Sequence, residues 1–149
     1  FGNTIVFSKL IEGPYPNFRQ VIPLNNSKKI YVSTEDLLSA VRRVSVLSNS
    51  ITHQIRFSDS SGTIELTTTN VDIGGEPREA VGIRYEGESL VVGYNASFLL
   101  EILRKIDTKE VLLELETPTT ACIIRPVKLD QDEASGYYLY LIMPLRLSD

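Results

Sequence analysis

The sequence predicts an α+β fold in which two helices pack on antiparallel β-sheet. Two segments, 34–47 and the one that follows Asn95, carry apolar residues at helical spacing. From residue 24 onward, eight shorter segments have the alternation or composition of strands. Each helix is followed by a run of these strands, and that order is typical of an α+β domain.

The first 29 residues are predicted to hold one strand and then a linker. Residues 3–11 alternate well enough for a strand, and the prolines that follow make 13–29 an extended segment. We place a domain boundary near Leu24. Because the chain begins with Phe1 inside the alternating run, we interpret it as a fragment of a longer protein.

The first predicted helix begins at a capping motif. In Ser33-Thr34-Glu35-Asp36 a hydroxyl is followed three residues later by a carboxylate, and acidic groups lie in the first turn. The residues that follow repeat at helical spacing on one face, which the helix would bury: Leu37, Leu38, Val41 and Val44.

The second helix is predicted to begin after Asn95, whose side chain suits an N-cap. Its apolar stripe consists of Phe98, Leu99, Ile102, Leu103 and Ile106. The predicted strands lie at 28–32, 53–59, 63–70, 78–85, 89–93, 110–116, 119–125 and 137–143.

Composition excludes several classes of protein. The 149 residues are 42% hydrophobic and 23% charged, as in ordinary globular domains. The single cysteine, Cys122, rules out an intrachain disulfide and favours a reducing compartment. No segment approaches the roughly 20 apolar residues of a membrane helix. A net charge of −4 argues against a conventional DNA-binding domain, although it does not exclude a ring that surrounds DNA loosely.

The chain is poor in groups that could perform catalysis. His53 is the only histidine, and Cys122 lies in the middle of a predicted strand, where a buried thiol is inert. The pair Gly74-Gly75 lacks the strand and helix of a phosphate loop. A loop with Asp130, Asp132 and Glu133 could hold a cation weakly, but a solvated loop is favoured. We therefore predict no enzyme, no metal site and no cofactor.

Two unusual runs lie near the ends of the chain. One joins three prolines with Tyr15, Phe18 and Arg19 over residues 13–23, and the other is the apolar stretch 138–147. Together they resemble the bacterial sliding clamp, the beta subunit of the replicative DNA polymerase. In that family a linker and a Met-Pro-x-Arg-Leu terminus lie side by side and form much of a groove for polymerase tails.

The resemblance covers essentially the whole chain and implies a clamp domain with two helices packed on two antiparallel four-stranded sheets. It also implies that residues 1–23 are the last strand of a preceding, middle domain plus the linker, and that 24–149 are the C-terminal domain. The groove residues that it carries over are Pro16, Gln20, Val21, Asn95, Phe98, Thr119, Ala121, Leu141, Ile142, Met143, Pro144, Leu145 and Arg146. Many family members have Arg in place of Gln20 and Tyr in place of Phe98.

The resemblance assigns two further surfaces. Residues facing DNA would be Arg42, Arg43, Arg104, Lys105 and Lys109, which on composition alone are solvated side chains. By helical spacing Val46 points away from the buried face of the first helix, so it meets either the next loop or another subunit. The interface between subunits would comprise Val46, Leu47, Glu76 and Glu79.

The function implied is that of a processivity factor in the bacterial cytoplasm. Its partners would be encircled duplex DNA, the DNA polymerase III catalytic subunit, the clamp loader and other clamp-binding proteins, and a second subunit in a head-to-tail homodimer. No membrane is involved. The alternative from the residues alone is a generic peptide- or protein-binding module unrelated to replication, in which the terminal run serves the same groove. If neither holds, the terminal run simply caps the core of its own domain.

Overall fold

A computed structural model describes residues 2–3, 5–14, 17–60, 62–68, 77–127 and 138–147. Within these ranges the chain has two α-helices, eight strands and a 3₁₀ helix at Phe18–Gln20. The helices are α1 Thr34–Ser45 and α2 Ala96–Leu103. The strands are β1 Lys28–Ser33, β2 Gln54–Ser60, β3 Thr63–Thr67, β4 Arg78–Arg84, β5 Val91–Asn95, β6 Glu110–Leu115, β7 Cys122–Val127 and β8 Tyr140–Ile142.

The strands form one eight-stranded antiparallel sheet in the order β5-β2-β3-β4-β1-β6-β7-β8. The predicted division into two separate four-stranded sheets is therefore wrong in this detail. The sheet consists of two quartets of strands, β5-β2-β3-β4 and β1-β6-β7-β8. They are joined where β1 meets β4 through two residue pairs, Tyr31–Arg84 and Val32–Ile83. This short ladder satisfies backbone donors and acceptors of the four residues that it pairs.

The two halves of the chain repeat one order of elements, a strand, a helix and then three strands. The first strand of each half pairs with a strand of the other half, since β5 pairs with β2 and β1 pairs with β6. The two helices pack on each other, α1 contacts β1 to β4, and α2 contacts β5 and β8. One hydrophobic core contains residues of both helices and of all eight strands.

Helix α1 begins where the sequence predicts. The Oγ of Ser33 accepts a hydrogen bond from the backbone N–H of Asp36 at 3.3 Å. Leu37, Val41 and Val44 are fully buried, and α1 packs on β1 to β4. Val46 follows the last helical residue and is 75% exposed, as its helical position predicts.

The C-terminal residues 143–147, here called the tail, connect the two ends of the sheet. β8 is the last strand of the row and β5 is the first. Pro144 has no N–H, so the ladder of β8 cannot continue through it. The next N–H, that of Leu145, donates to the carbonyl oxygen of Gly93 in β5 at 2.8 Å. The tail thus crosses from one end of the sheet to the other beside α2.

The strand predicted over residues 3–11 does not form in the part of the chain that the structure describes. Residues 5–14 lie outside regular secondary structure, and Phe7 and Ile11 are almost fully exposed. A strand needs a neighbouring strand to satisfy its backbone groups, and the described residues pair none with this segment. The loops that hold Gly74-Gly75 and the carboxylates Asp130, Asp132 and Glu133 lie outside the described residues.

In the described residues, neither helix has the length and apolar character needed to cross a membrane.

Candidate functional site

A cleft of about 300 Å³ lies between α2 and the tail. One wall is a face of α2, and the other is the end of β8 with the first residues of the tail. Its lining is apolar except for one amide, and consists of Asn95, Phe98, Ile102, Leu141, Ile142, Met143, Pro144 and Leu145. We call this cleft the α2–tail groove. An apolar groove with few polar groups suits a ligand that offers apolar side chains.

The cap of α2 fixes the helical wall of the groove. The Oδ1 of Asn95 accepts hydrogen bonds from the backbone N–H groups of Ser97 at 2.9 Å and Phe98 at 3.3 Å. Leu99 and Leu103 anchor α2 in the core and are nearly inaccessible. Because Phe98 and Ile102 are four positions apart, they share the adjacent face that borders the groove. Phe98 stays 60% exposed there.

Replacing Asn95 by alanine should destabilise the protein by about 1 kcal/mol, because two N–H groups in the first turn lose their acceptor. The frayed first turn carries Phe98, so the affinity of the groove for an apolar peptide should also fall. Urea denaturation and peptide titration measure the two effects. Ser33→Ala is the matched control, since it removes the cap of α1 and should lower stability without changing affinity.

The second wall depends on alternation between buried and exposed residues at the end of β8. Ile142 pairs with Cys122 and is 4% exposed, which fixes the strand on the core. The next residue, Met143, is 61% exposed and borders the groove. A flexible thioether at such a position can adapt to ligand side chains of different shape.

Seven of the predicted groove residues line the α2–tail groove. Asn95, Phe98 and residues 141–145 line the groove. The predicted residues that do not line it are Gln20, Val21, Thr119, Ala121 and Arg146, while Pro16 lies outside the described residues. Sequence analysis missed Ile102 as a groove residue because its apolar stripe assigned it to the core. Its spacing of four from Phe98 was the available signal.

Thr119 and Ala121 are nevertheless close to the tail in sheet register. Cys122 pairs with Ile142, and continuing this antiparallel register by one position sets Ala121, the residue before β7, opposite Met143. The linker reaches the same edge, because the Nδ2 of Asn26 donates to the carbonyl oxygen of Ala121 at 3.0 Å. This arrangement places the end of the linker beside the turn that carries Thr119.

A carboxylate fastens the linker at this edge. The Oε2 of Glu116 accepts hydrogen bonds from the N–H and the Oγ of Ser27, each at 2.7 Å. Both hydrogen bonds lower the pKa of Glu116, and the one from the Ser27 hydroxyl has the larger effect. The linker therefore enters the domain at a defined position, although Val21 itself remains 62% exposed.

Cys122 lies opposite Ile142 in the sheet and is structural. It is 2% exposed, and burial raises the pKa of its thiol from 9.0 to about 12. Because only the unfolded chain ionises this thiol above pH 9, its contribution to stability is complete below that pH and is lost as the pH rises toward 12.

The stability of the native protein should therefore fall more steeply between pH 9 and 12 than that of Cys122→Ala. Urea denaturation at several pH values measures the difference. A thiol reagent at pH 8 should leave Cys122 unmodified until the protein is denatured. Rapid labelling of the native protein would show that the thiol is accessible and would contradict this assignment.

Two of the predicted DNA-facing cations are engaged in ion pairs. The Nε and Nη2 of Arg43 donate to the two carboxylate oxygens of Glu79 at 2.7 and 2.9 Å. This hydrogen-bonded pair lowers the pKa of Glu79 and raises that of Arg43. Lys105 donates to Glu101, one turn earlier in α2, at 2.8 Å. The remaining predicted cations, Arg42, Arg104 and Lys109, are exposed.

The Arg43–Glu79 pair joins residues that sequence analysis assigned to different surfaces, one facing DNA and one facing another subunit. Val46 and Leu47 lie at the end of the same helix and are 75% and 38% exposed. Glu76 lies outside the described residues. Within the described sheet, residues 79–82 of β4 pair with β3 on one side only, because β1 meets β4 at residues 83 and 84. An open strand edge therefore lies next to α1, a feature that sequence analysis missed.

The described residues contain no cluster of three or more His, Cys, Asp or Glu side chains that could bind a metal ion.

The sequence and the fold both match known proteins. The profile of the family described as DNA polymerase III beta subunit, C-terminal domain, matches residues 19–146. The beta sliding clamp of Haemophilus influenzae is 33% identical over 145 residues, which are 97% of this chain and 38% of that protein. The chain thus spans little more than a third of the curated relatives that it matches.

Solved structures give the same result. A DNA polymerase sliding clamp from Pseudomonas aeruginosa, crystallised with ligand, aligns with a TM-score of 0.86 at 28% identity, covering 94% of this chain and 37% of that one. A sliding clamp from Bartonella birtlesii bound to griselimycin aligns with a TM-score of 0.83 at 30% identity, covering 94% and 36%. The fold is therefore one that sliding clamps contain.

Proposed function

Because the chain belongs to the family formed by the C-terminal domain of the DNA polymerase III beta subunit, we propose that it acts in a processivity factor of bacterial DNA replication. In this role a ring encircles duplex DNA, and the α2–tail groove tethers the polymerase, the clamp loader and other clamp-binding proteins. Family membership argues against the alternative of a module unrelated to replication. The role is mechanical, so the chain would not be an enzyme, and it would act in the bacterial cytoplasm.

The observation that carries the groove assignment is the exposure of apolar side chains on both of its walls. Phe98 and Met143 face the cleft while 60% and 61% exposed, although their neighbours Leu99 and Ile142 are buried. Two exposed apolar side chains across one cleft are unfavourable in water and become favourable once a partner covers them. A short peptide with leucine and phenylalanine side chains has the size and polarity to do so.

A domain division at the linker accompanies this proposal. Residues 24–149 would form the C-terminal domain, and residues 1–23 would contribute the last strand and linker of a preceding domain. The apolar side chains of Ile5, Phe7 and Ile11 are each more than 70% exposed, as expected of a strand whose own sheet lies elsewhere. The preceding domain would also bring the linker residues Pro16, Gln20 and Val21 against the groove. Thr119, Ala121 and Arg146 would border it.

The DNA-facing surface would be formed by cations on the two helices. Arg42, Arg104 and Lys109 are exposed and available to phosphates, while Arg43 and Lys105 would first have to leave Glu79 and Glu101. Contacts of this kind are independent of sequence and weaken with salt. Weak contacts suit a ring that moves along DNA, since confinement and not affinity keeps it there.

The contact between subunits would lie at the end of α1 and the open edge of β4. Exposed Val46 and Leu47 supply apolar area, and residues 79–82 supply a strand edge that pairs only with β3 in the described sheet and could receive a strand from another subunit. Glu79, with Glu76 nearby in sequence, would add charge complementarity. A head-to-tail homodimer would use this surface on one end of each subunit only.

The experiment that tests the groove is a titration of the 149-residue chain into a fluorescent peptide of the type Gln-Leu-x-Leu-Phe. We expect saturable binding with a Kd of roughly millimolar or tighter, reported by fluorescence anisotropy. A control peptide in which serine replaces both leucines and the phenylalanine should not bind, because it offers no apolar surface. Equal affinity for the two peptides would contradict the proposal.

A further inference from the structure

Gly93 lies at the point where the tail crosses β5, and the space above its Cα is already filled. A Cβ at this position would lie 2.8 Å from the Cδ2 of Leu147 and 2.9 Å from the carbonyl oxygen of Leu145. Both distances are shorter than the contacts that Cβ atoms make in real proteins. The backbone of Gly93 does not have a positive φ, so its conformation alone does not require glycine. What requires glycine is the approach of the tail.

Two contacts hold the tail to β5 at this residue. The N–H of Leu145 donates to the carbonyl oxygen of Gly93, and the side chain of Leu147 covers the Cα of Gly93. On the N-terminal side of Met143, Ile142 is held by its pairing with Cys122. Met143 and Pro144 are thus held from both ends, by the pairing of Ile142 in β8 and by the contacts of Leu145 and Leu147 with β5. These two residues and Leu145 form the tail wall of the groove.

We propose that Gly93 and Leu147 act as a latch that positions the tail wall, so that the α2–tail groove can receive a peptide only while the latch is closed. This inference rests on the proposed function of the groove. Neither latch residue needs to touch the peptide, because neither lines the groove. They are positioning residues, and they act through Met143 and Leu145.

The variant Gly93→Ala opens the latch by forcing the tail away from β5. The carbonyl oxygen of Leu145 belongs to the backbone, so it cannot rotate aside as a flexible side chain could. We expect faster hydrogen exchange at the amide of Leu145 and an affinity for the Gln-Leu-x-Leu-Phe peptide reduced at least about tenfold. Exchange at the amides of the β6–β7 ladder should remain slow, because these strands lie away from Gly93.

Gly82→Ala is the matched control. Gly82 is also a strand glycine without a positive φ, but no atom lies within 4 Å of where its Cβ would be. The substitution therefore removes the same backbone freedom and adds the same methyl group without touching the tail. We expect its exchange at Leu145 and its peptide affinity to equal those of the native chain.

Leu147→Ala tests the latch without adding any atom. It removes the side chain that covers Gly93 and leaves the backbone free to keep its hydrogen bond. We expect accelerated exchange at Leu145 and a loss of affinity smaller than that of Gly93→Ala. If Gly93→Ala fails to fold, this variant decides the matter by the same two measurements.

Unchanged exchange and affinity in both latch variants would overturn the proposal. If the native chain does not bind the peptide at all, the proposed function of the groove fails, and with it the role of the latch in binding. Faster exchange at Leu145 in Gly93→Ala would even then establish the contact between tail and β5. The exchange and binding measurements therefore distinguish the two failures.

Discussion

Met143→Asp should abolish binding of the Gln-Leu-x-Leu-Phe peptide, with a loss of at least about a hundredfold in affinity. Met143 is the most exposed apolar side chain of the tail wall, and a bound peptide would cover it. A carboxylate there would lose its water when the peptide binds and would gain no partner from an apolar ligand. The fold should tolerate the change because the side chain is largely exposed to solvent in the absence of ligand.

Val46→Asp is the control for this substitution. Val46 is 75% exposed and also apolar, but it lies at the end of α1 and does not line the groove. Its replacement adds the same charge to the chain and should leave peptide affinity unchanged. Retention of peptide binding by Met143→Asp would show that the tail wall is not part of the binding site.

Leu99→Ala should lower the free energy of unfolding by about 2–5 kcal/mol, because it leaves a cavity in a packed core. Leu99 is 2% exposed and belongs to the hydrophobic core where α2 packs. Such a loss is a large part of the about 5–15 kcal/mol that stabilises a typical domain. Urea denaturation of the native chain and the variant measures it directly.

The neighbouring variant Phe98→Ala separates stability from binding. Phe98 is 60% exposed, so its truncation should change the free energy of unfolding little while it weakens peptide binding. Leu99→Ala, measured where it remains folded, should bind the peptide with little change. If Phe98→Ala were the more destabilising of the two, the orientation assigned to α2 would be wrong.

The helices and their caps could be predicted from the sequence because their signals are local. Ser33 and Asn95 cap α1 and α2 as expected, and Leu37 and Leu99 are buried as their spacing indicates. A cap acts over three residues and a helical stripe over ten or so, so neither depends on distant parts of the chain. The pairing of β2 with β3 is local as well, since the two strands are neighbours in sequence.

The joining of the two quartets could not be predicted because it depends on contacts distant in sequence. Tyr31 meets Arg84 across more than fifty residues, and nothing in either segment specifies the other. Pairing of this kind follows from which edges remain open once the hairpins have formed. The same limit explains why the open edge of β4 was missed.

The groove was predicted in outline, but the residues that position it were not. A resemblance carries over residues that line a site, such as Phe98 and Met143, and gives no weight to a glycine in a neighbouring strand. The importance of Gly93 lies in the space that Leu147 occupies above it, which only the folded structure reveals. The ion pair between Arg43 and Glu79 is a similar case, since the two residues come from separate elements.

The most direct test of the central claim is a map of the peptide site by amide chemical shifts in the ¹⁵N-labelled chain. Titration with the Gln-Leu-x-Leu-Phe peptide should shift the amides of Phe98, Ile102, Met143 and Leu145 most strongly. It should leave those near the Arg43–Glu79 pair unchanged. Shifts centred on that pair, or none at millimolar peptide, would contradict the assignment of the α2–tail groove as the docking site.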